Sequence, residues 1–214
     1  MRACIFGAGE YHGERLDLTQ NALIIAADGG FCHTKAYGLT PSLLIGDFDS
    51  LEGIPLDIPI KRYPVKKDDT DLALAVKEAL AAGCDEIVMF GVLGGRLDHT
   101  LANITLLLSL AKKGVLAYLV GKGSVLTVLS EKTTLVFPYA DGGLSLFALT
   151  EEATVTIEGV DYPLSSGKLY SDCALGVSNR FLGQIARISV ESGKLLVIWE
   201  NEALAFPKTE RSSS

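Results

Sequence analysis

Two aspartates separated by one residue, Asp47 and Asp49, follow an apolar run in the segment GDFDS. In an extended segment, side chains two residues apart point to the same side, so the two carboxylates repel each other. No Lys or Arg stands beside them to compensate, whereas a divalent cation would. Mg²⁺ is commonly held by one or two carboxylates together with substrate phosphates. The pattern therefore predicts a Mg²⁺ site that handles a phosphorylated substrate.

Three further segments rich in Asp and Gly also follow apolar runs. They are Asp28-Gly29-Gly30, Lys67-Asp68-Asp69-Thr70-Asp71 and Gly94-Gly95-Arg96-Leu97-Asp98-His99. In an open α/β sheet, ligands bind beyond the carboxyl ends of the strands. We therefore expect four loops to bring carboxylates to one edge of a sheet.

Each of these segments also has an ordinary structural interpretation. Asp28-Gly29-Gly30 suits a tight turn, because Asp and Gly are common turn residues. Asp68 or Asp69 suits a helix N-cap, which stabilises a helix by about 1 kcal/mol, and Asp71 suits the first turn of that helix. Asp98 could likewise cap a helix, and His99 suits a polar contact better than a metal ligand. Both interpretations stay open at this point.

Several other chemistries fit the sequence poorly. Gly7, Gly9 and Gly13 approach the dinucleotide-binding pattern, but the third glycine comes one place late and His12 stands in its position. The sequence contains neither a GxxxxGK[ST] phosphate loop nor a GxSxG nucleophile segment, and its three histidines lack metal-binding spacing. The residues favour a Mg²⁺-dependent enzyme that acts on a phosphorylated, nucleotide-type substrate.

The elements that must position these residues alternate between strands and helices up to residue 122. Apolar runs predict strands near residues 3–9, 22–28, 42–47, 60–65, 86–92 and 116–120. Leu72, Val76, Ala79 and Leu80 form one stripe of a helix over residues 70–82, and a second helix is predicted over residues 98–113. This alternation predicts a Rossmann-like, parallel, doubly wound α/β domain.

The pattern changes after Gly123 to short β-branched runs separated by Gly, Pro, Asp and Ser. Such spacing is typical of an all-β sandwich. We therefore predict an α/β domain over residues 1–122, a β-sandwich over residues 123–208 and a frayed tail over residues 209–214.

Composition restricts the class of protein. The 214 residues carry 19 Lys and Arg against 26 Asp and Glu, a net charge of −7, which disfavours a nucleic-acid partner. No apolar stretch approaches the length of about 20 residues that a spanning helix needs, and the first residues contain no export signal. We expect no membrane partner and a cytoplasmic location. Four scattered cysteines without a CxxC pair suggest buried thiols rather than disulfides or zinc ligands.

Five motifs together resemble the thiamine pyrophosphokinase family. They are ADGG at 27–30, LLIGDFDS at 43–50, KDDTDLALA at 67–75, GGRLDHTLANI at 94–104 and GVSN at 176–179. The resemblance covers nearly the whole chain. It implies transfer of the terminal pyrophosphoryl group of ATP, with Mg²⁺, to thiamine, and it implies a homodimer that binds thiamine between its subunits.

The resemblance also implies roles for individual residues. Asp47, Asp49 and Asp71 take the catalytic and metal-binding positions. The nucleotide-binding positions are Asp28, Gly29, Gly30, Lys67, Thr70, Arg96, Asp98 and His99. Ser178, Asn179 and Trp199 are assigned to the vitamin pocket.

Three alternatives remain open. Trp199 ends the run KLLVIW and could be a core residue rather than a stacking partner for thiamine. A pyrophosphokinase that acts on a hydroxymethyl pterin shares a similar acidic pattern. A non-catalytic nucleotide- or thiamine-sensing module is the third possibility, although so many mutually repelling carboxylates argue against it.

Overall fold

Contacts divide the chain into two units, residues 1–106 with 117–122 and residues 107–116 with 123–214. The computed structural model describes residues 1–10, 22–46, 57–63, 69–200 and 206–211. Asp47, Asp49 and Lys67 lie outside the described residues, so their predicted roles stay predictions.

The first unit is built on parallel strands. The strands are β1 (Arg2–Phe6), β2 (Leu23–Ala27), β3 (Leu43–Gly46), β4 (Ile60–Arg62), β5 (Glu86–Phe90) and β6 (Leu116–Gly121), in the spatial order β6-β5-β1-β2-β3-β4. β1 pairs in parallel with both β2 and β5, and β3 pairs in parallel with β2 and β4. Four of the five residues of β1 and of β5 are buried, as expected for parallel strands covered on both faces.

Three helices occur in the described parts of the chain: α1 (Gly30–Ala36), α2 (Asp71–Ala81) and α3 (Leu97–Lys112). The sequence predicts α2 and α3 to within a residue or two. Leu72, Val76 and Ala79 are buried on α2 as predicted, and the helix ends before Gly83, which has a φ of 81°. α3 ends in the same way before Gly114, with a φ of 73°.

The short helix α1 has no counterpart in the sequence prediction. Gly29, the N-cap that precedes its seven residues, has no side chain to form a capping hydrogen bond. The first turn of the helix contains no acidic residue. The usual signals of a helix start are therefore missing.

Two antiparallel sets of strands form the second unit. They comprise β7 (Ser124–Ser130), β8 (Thr133–Ala140), β9 (Gly143–Ala148), β10 (Glu152–Glu158), β11 (Leu164–Tyr170), β12 (Asn179–Arg180), β13 (Gln184–Ser192), β14 (Lys194–Glu200) and β15 (Lys208–Arg211). One set has the order β12-β9-β14-β7, and the other has the order β11-β10-β13-β8-β15. Phe137 of β8 lies 5.5 Å from Trp199 of β14, ring centre to ring centre, so apolar side chains of the two sets meet in a shared core.

The structure corrects two expectations from the sequence. Residues 209–211, expected to be part of a frayed tail, belong to β15, because Lys208 to Arg211 pair with Val136 to Thr133 of β8. Cys4 and Cys84 are buried as expected, whereas Cys32 and Cys173 are exposed. Burial raises the pKa of the Cys4 thiol to about 11, so this thiol stays protonated.

None of the described helices is both long enough and apolar enough to cross a bilayer.

Candidate functional site

A cavity of about 540 Å³ lies in the first unit, at the carboxyl ends of β1, β2 and β5. Its lining includes the backbone of two glycine-containing loops, the start of α2 and one side of α3. The residues around it are Gly7, Ala8, Gly9, Ala27, Asp28, Asp69, Thr70, Asp71, Leu72, Gly91, Val92, Gly94, Gly95, Arg96, His99, Ala102 and Asn103. The volume is in the range of pockets that hold small-molecule ligands.

The strand order explains why a cavity forms here. From β1 the chain continues to β2 and β3 on one side, and β5 lies on the other side of β1. The next strand after β5 is β6, on the side away from β1, so the chain order reverses between β1 and β5 and makes this point a switch point of the sheet. In open α/β sheets, this switch point is where ligands bind.

Glycines bring the backbone extensions of β1 and β5 close together. The Gly7 N–H donates to the Phe90 carbonyl at 2.8 Å, and the Gly9 N–H donates to the Gly91 carbonyl at 2.7 Å. A Cβ on Gly9 would lie 2.6 Å from the Gly91 oxygen, too close for any side chain. The GxG pattern in the sequence marks this close approach, although it does not match a dinucleotide-binding loop.

Asp28 lines the cavity from the end of β2, with a φ of 50°. Asp tolerates this left-handed conformation better than most residues. The Asp28 N–H donates to the Ile45 carbonyl at 2.7 Å, which fixes the backbone there. Gly29 and Gly30 follow as the start of α1 and are not part of the lining.

The N-terminus of α2 brings two predicted site residues, Thr70 and Asp71, to the cavity, together with Asp69. Thr70 is the N-cap, since its Oγ1 accepts a hydrogen bond from the Ala73 N–H at 3.1 Å, so Asp69 is not the N-cap, and Asp68 lies outside the described residues. Asp69 forms an ion pair with Lys77 at 2.6 Å. Asp71 occupies the first helical turn, where a negative charge is stabilised by the helix dipole.

Arg96 and Asp98 form a two-pronged ion pair at the start of α3. Arg96 donates from Nε to Asp98 Oδ1 at 3.1 Å and from Nη2 to Oδ2 at 2.5 Å. Arg96 and His99 line the cavity but Asp98 does not, so Asp98 holds Arg96 from outside. The hydrogen bonds from Arg96, followed by that from the His99 N–H, lower the pKa of the Asp98 carboxyl.

We expect this pair to respond to acid. Because the pKa of Asp98 is lower in the folded chain, the pair contributes fully above the ordinary Asp pKa and is lost as pH falls through the lowered value. The contribution is small because both side chains are exposed. An Arg96→Met substitution should raise the pKa of Asp98 toward its ordinary value, measured by carboxyl ¹³C NMR. An unchanged pKa would show that Arg96 does not hold Asp98 in solution.

Carboxylates dominate the charge around the cavity. Among the described residues that line it, three carboxylates, those of Asp28, Asp69 and Asp71, accompany one guanidinium, that of Arg96, and Asp69 is already paired with Lys77. Oxygen ligands of this kind suit a hard cation such as Mg²⁺. Among the described residues, no three His, Cys, Asp or Glu side chains cluster closely enough to hold a metal by themselves.

The residues predicted to bind the vitamin belong to the second unit. Ser178 is exposed and has a φ of 63°. Asn179 is buried, and its side chain is fully engaged with backbone: Oδ1 accepts from the N–H groups of Tyr162 and Arg180, and Nδ2 donates to the Tyr162 carbonyl. Asn179 therefore joins the turn before β11 to β12.

Removing this connection should destabilise the chain. We expect Asn179→Ala to lower the free energy of unfolding by about 1 kcal/mol, because part-buried backbone groups at Tyr162 and Arg180 lose their partners. Urea denaturation measures the loss, and Ser178→Ala, at the exposed neighbouring position, is the matched control. Equal stability of the two variants would contradict this role of Asn179.

Trp199 is 2% exposed and packs edge-on against Phe137. Phe137 also contacts Phe181, with ring centres 4.9 Å apart. This packing favours the core interpretation of Trp199. Its assignment to the vitamin pocket stays a prediction.

Sequence reasoning missed several residues around the cavity. Gly91, Val92 and Asn103 received no role, and Asp69 was given no role beyond its place in an acidic segment or as a helix cap. The signal for Gly91 was its place directly after an apolar strand, whereas nothing in the sequence distinguishes Asn103 from other polar residues on a helix.

Comparisons with known proteins agree across the chain. The family described as thiamin pyrophosphokinase, catalytic domain, matches residues 16–119, and that described as thiamin pyrophosphokinase, vitamin B1 binding domain, matches residues 134–195. The thiamine pyrophosphokinase of Bacillus subtilis (strain 168) is 29% identical over 195 residues, covering 84% of this chain and 87% of the relative.

Solved structures show the same likeness. The crystal structure of thiamine pyrophosphokinase from Bacillus subtilis matches with a TM-score of 0.83 and 26% identity, covering 94% of this chain and 99% of the other. That of Geobacillus thermodenitrificans matches with a TM-score of 0.82 and 26% identity, covering 95% and 99%. With both domain families matched in order along its length, the chain belongs to the thiamin pyrophosphokinase family and is a diphosphotransferase.

Proposed function

We propose that this enzyme transfers the pyrophosphoryl group of ATP to thiamine in a Mg²⁺-dependent reaction that yields thiamine diphosphate and AMP. The observation that carries the proposal is the cavity at the switch point of the parallel strands, lined by Asp28, Asp71 and Arg96. Its place in what we infer to be a Rossmann-like unit suits a nucleotide.

The proposed reaction moves one group between two oxygens. The hydroxyethyl oxygen of thiamine forms a bond to the β-phosphorus of ATP and loses its proton. The bond from that phosphorus to the oxygen bridging to the α-phosphorus breaks, and AMP leaves. Such transfers depend on positioning and charge stabilisation more than on covalent participation of the protein.

The acidic cavity explains why a metal belongs to this proposal. A triphosphate next to Asp28 and Asp71 would be repelled, and one guanidinium at Arg96 is too little to offset its charge. Asp71, with Asp47 and Asp49, would hold Mg²⁺ through carboxylate oxygens. When bound, the ion neutralises phosphate charge and orients the phosphoryl group.

Each remaining nucleotide contact follows from its residue type. Arg96, held by Asp98, would bind phosphate oxygens, and the ammonium group of Lys67 would do so as a point charge. Thr70, His99 and the Asp28-Gly29-Gly30 turn complete the proposed nucleotide site.

The second unit is proposed to supply the vitamin site and the contact of a homodimer. Tyr139, Leu182 and Ile185 are 70%, 51% and 61% exposed, an unusual concentration of large apolar side chains. A partner subunit would cover them. Sedimentation giving only monomers at micromolar concentration would contradict the dimer.

Ser178 is exposed and lies close in sequence to Leu182, and its substitution tests vitamin binding. Ser178→Ala should raise the KM for thiamine and leave the KM for ATP unchanged.

Binding of a non-hydrolysable ATP analogue tests the nucleotide site directly. We expect calorimetry to detect binding with Mg²⁺ and to detect much weaker binding with EDTA, because the carboxylates then repel the phosphates. Equal affinity with and without the metal would contradict the proposed site.

The two alternative functions, a pyrophosphokinase that acts on a hydroxymethyl pterin and a non-catalytic sensing module, lose support, since both matched domains carry the thiamin pyrophosphokinase description.

A further inference from the structure

Two loops of the cavity consist largely of glycine and need external support to keep one conformation. The first glycine loop is residues 7–9, and the second glycine loop is residues 91–95. In the second, Gly91, Gly94 and Gly95 have φ values of 62°, 82° and 65°. Glycine adopts these conformations freely but loses more conformational entropy than other residues when fixed in one of them.

One side chain from α3 holds the second glycine loop. Asn103 is 9% exposed, and its Nδ2 donates to the Val92 carbonyl at 2.7 Å. Asn103 and Val92 both line the cavity. The amide therefore fixes the loop's backbone at a point between its left-handed glycines.

A side chain from α1 holds the first glycine loop in a similar way. His33 Nε2 lies 2.9 Å from the Gly9 carbonyl. Because a carbonyl oxygen only accepts hydrogen bonds, Nε2 must carry the proton and donate it. The Gly9 N–H in turn donates to the Gly91 carbonyl at 2.7 Å, so the two loops are joined directly. A continuous series of hydrogen bonds and backbone thus runs from His33 through both loops to Asn103.

We infer that Asn103 and His33 are positioning residues that hold the two glycine loops in the arrangement that receives the nucleotide phosphates. The inference rests on the proposed function, because it assumes that the nucleotide occupies this cavity. Displacement of a loop by about 1 Å is enough to change rates substantially when phosphate groups must be aligned.

The principal test replaces Asn103 by Leu, which is similar in size but cannot donate. We expect amide hydrogen exchange across residues 91–95 to become about tenfold faster, because the Val92 carbonyl loses its partner. We also expect the KM for ATP to rise about tenfold with the KM for thiamine unchanged. His33→Leu should act in the same direction. In the double variant the combined effect should be less than the product of the two, since both side chains support one series.

A matched control lies on α1. Thr34 is fully buried, and its Oγ1 donates to the Phe31 carbonyl at 2.8 Å, but Thr34 is not part of the cavity lining. Thr34→Val removes a hydrogen bond of the same kind and should leave loop exchange and the KM for ATP unchanged. A similar rise in KM for Thr34→Val would show that general loss of stability, rather than positioning, explains the effect.

Asn103→Asp provides a second measurement that does not depend on the Leu variant folding. The carboxylate cannot donate to the Val92 carbonyl, but the protonated acid can. The ratio of its activity to that of the native enzyme should therefore rise as pH falls, whereas the ratio for Asn103→Leu should stay flat. Dividing by the activity of the native enzyme cancels the pH dependence that both proteins share, including that of the other ionisable groups around the same cavity, Asp28, Asp69, Asp71, Arg96 and His99.

The outcomes separate the inference from the proposed function. If Mg²⁺–ATP does not slow exchange in the glycine loops of the native protein, the nucleotide site itself is wrong, and the inference falls with it. If native loops are protected but Asn103→Leu keeps the native exchange rate and KM, only the inference is overturned. A pH-independent ratio for Asn103→Asp would overturn it as well.

Discussion

Asp71→Asn should lower kcat/KM by about a hundredfold or more while the protein stays folded. Asp71 lines the cavity from the first turn of α2. Asn keeps the shape of the side chain but removes the negative charge that would bind Mg²⁺. Losing that charge from the positive end of a helix costs only about 0.3 to 1 kcal/mol of stability. AMP formation and urea denaturation measure the two effects.

Glu78→Gln is the matched control for this substitution. Glu78 is a carboxylate on the same helix, but it accepts hydrogen bonds from Lys61 at 2.5 Å and Tyr63 at 3.3 Å and is not part of the cavity lining. Removing its charge should leave kcat/KM unchanged. Near-native activity of Asp71→Asn with Mg²⁺ would show that Asp71 has no part in catalysis.

Gly30→Ala should have the largest effect on folding. A Cβ at this position would lie 1.9 Å from the Phe6 carbonyl oxygen and 2.4 Å from its carbon. These are backbone atoms of a buried central strand, so no side-chain rotation relieves the overlap. We expect the free energy of unfolding to fall by about 4 kcal/mol or more, or the protein not to fold.

Gly29→Ala is the control for the glycine substitution. At this neighbouring position the nearest atom to an added Cβ is the Ala8 Cβ, at 3.0 Å, and φ is −58°. A shift of a few tenths of an ångström accommodates it, at a cost of about 1 kcal/mol. Thermal unfolding of both variants tests the comparison, and equal losses would mean that the approach of α1 to β1 is not as close as described.

How much the sequence predicts depends on whether the signal is local. α2 was predictable because its buried stripe, its capping region and Gly83 all lie within its own segment. The run Lys208–Arg211 has no alternating apolar pattern, and it becomes a strand only by pairing with distant β8. Long-range pairing of this kind leaves no mark in a single sequence.

The same distinction applies to the candidate site. Asp28, Asp71 and Arg96 were predictable, because each follows a strand or begins a helix at the sheet edge. The hydrogen bonds of Asn103 and Asn179 were not predictable, because their partners are backbone groups far along the chain, at Val92 and Tyr162. Such partners are known only once the backbone is folded.

The central claim is that this chain moves a pyrophosphoryl group as one unit. Phosphorus NMR of the native enzyme with ATP, thiamine and Mg²⁺ tests it most directly, since it follows substrates and products together. The account predicts AMP and thiamine diphosphate in equal amounts, with neither product formed in the presence of EDTA. Formation of ADP with thiamine monophosphate, or AMP accompanied by free pyrophosphate and unchanged thiamine, would contradict it.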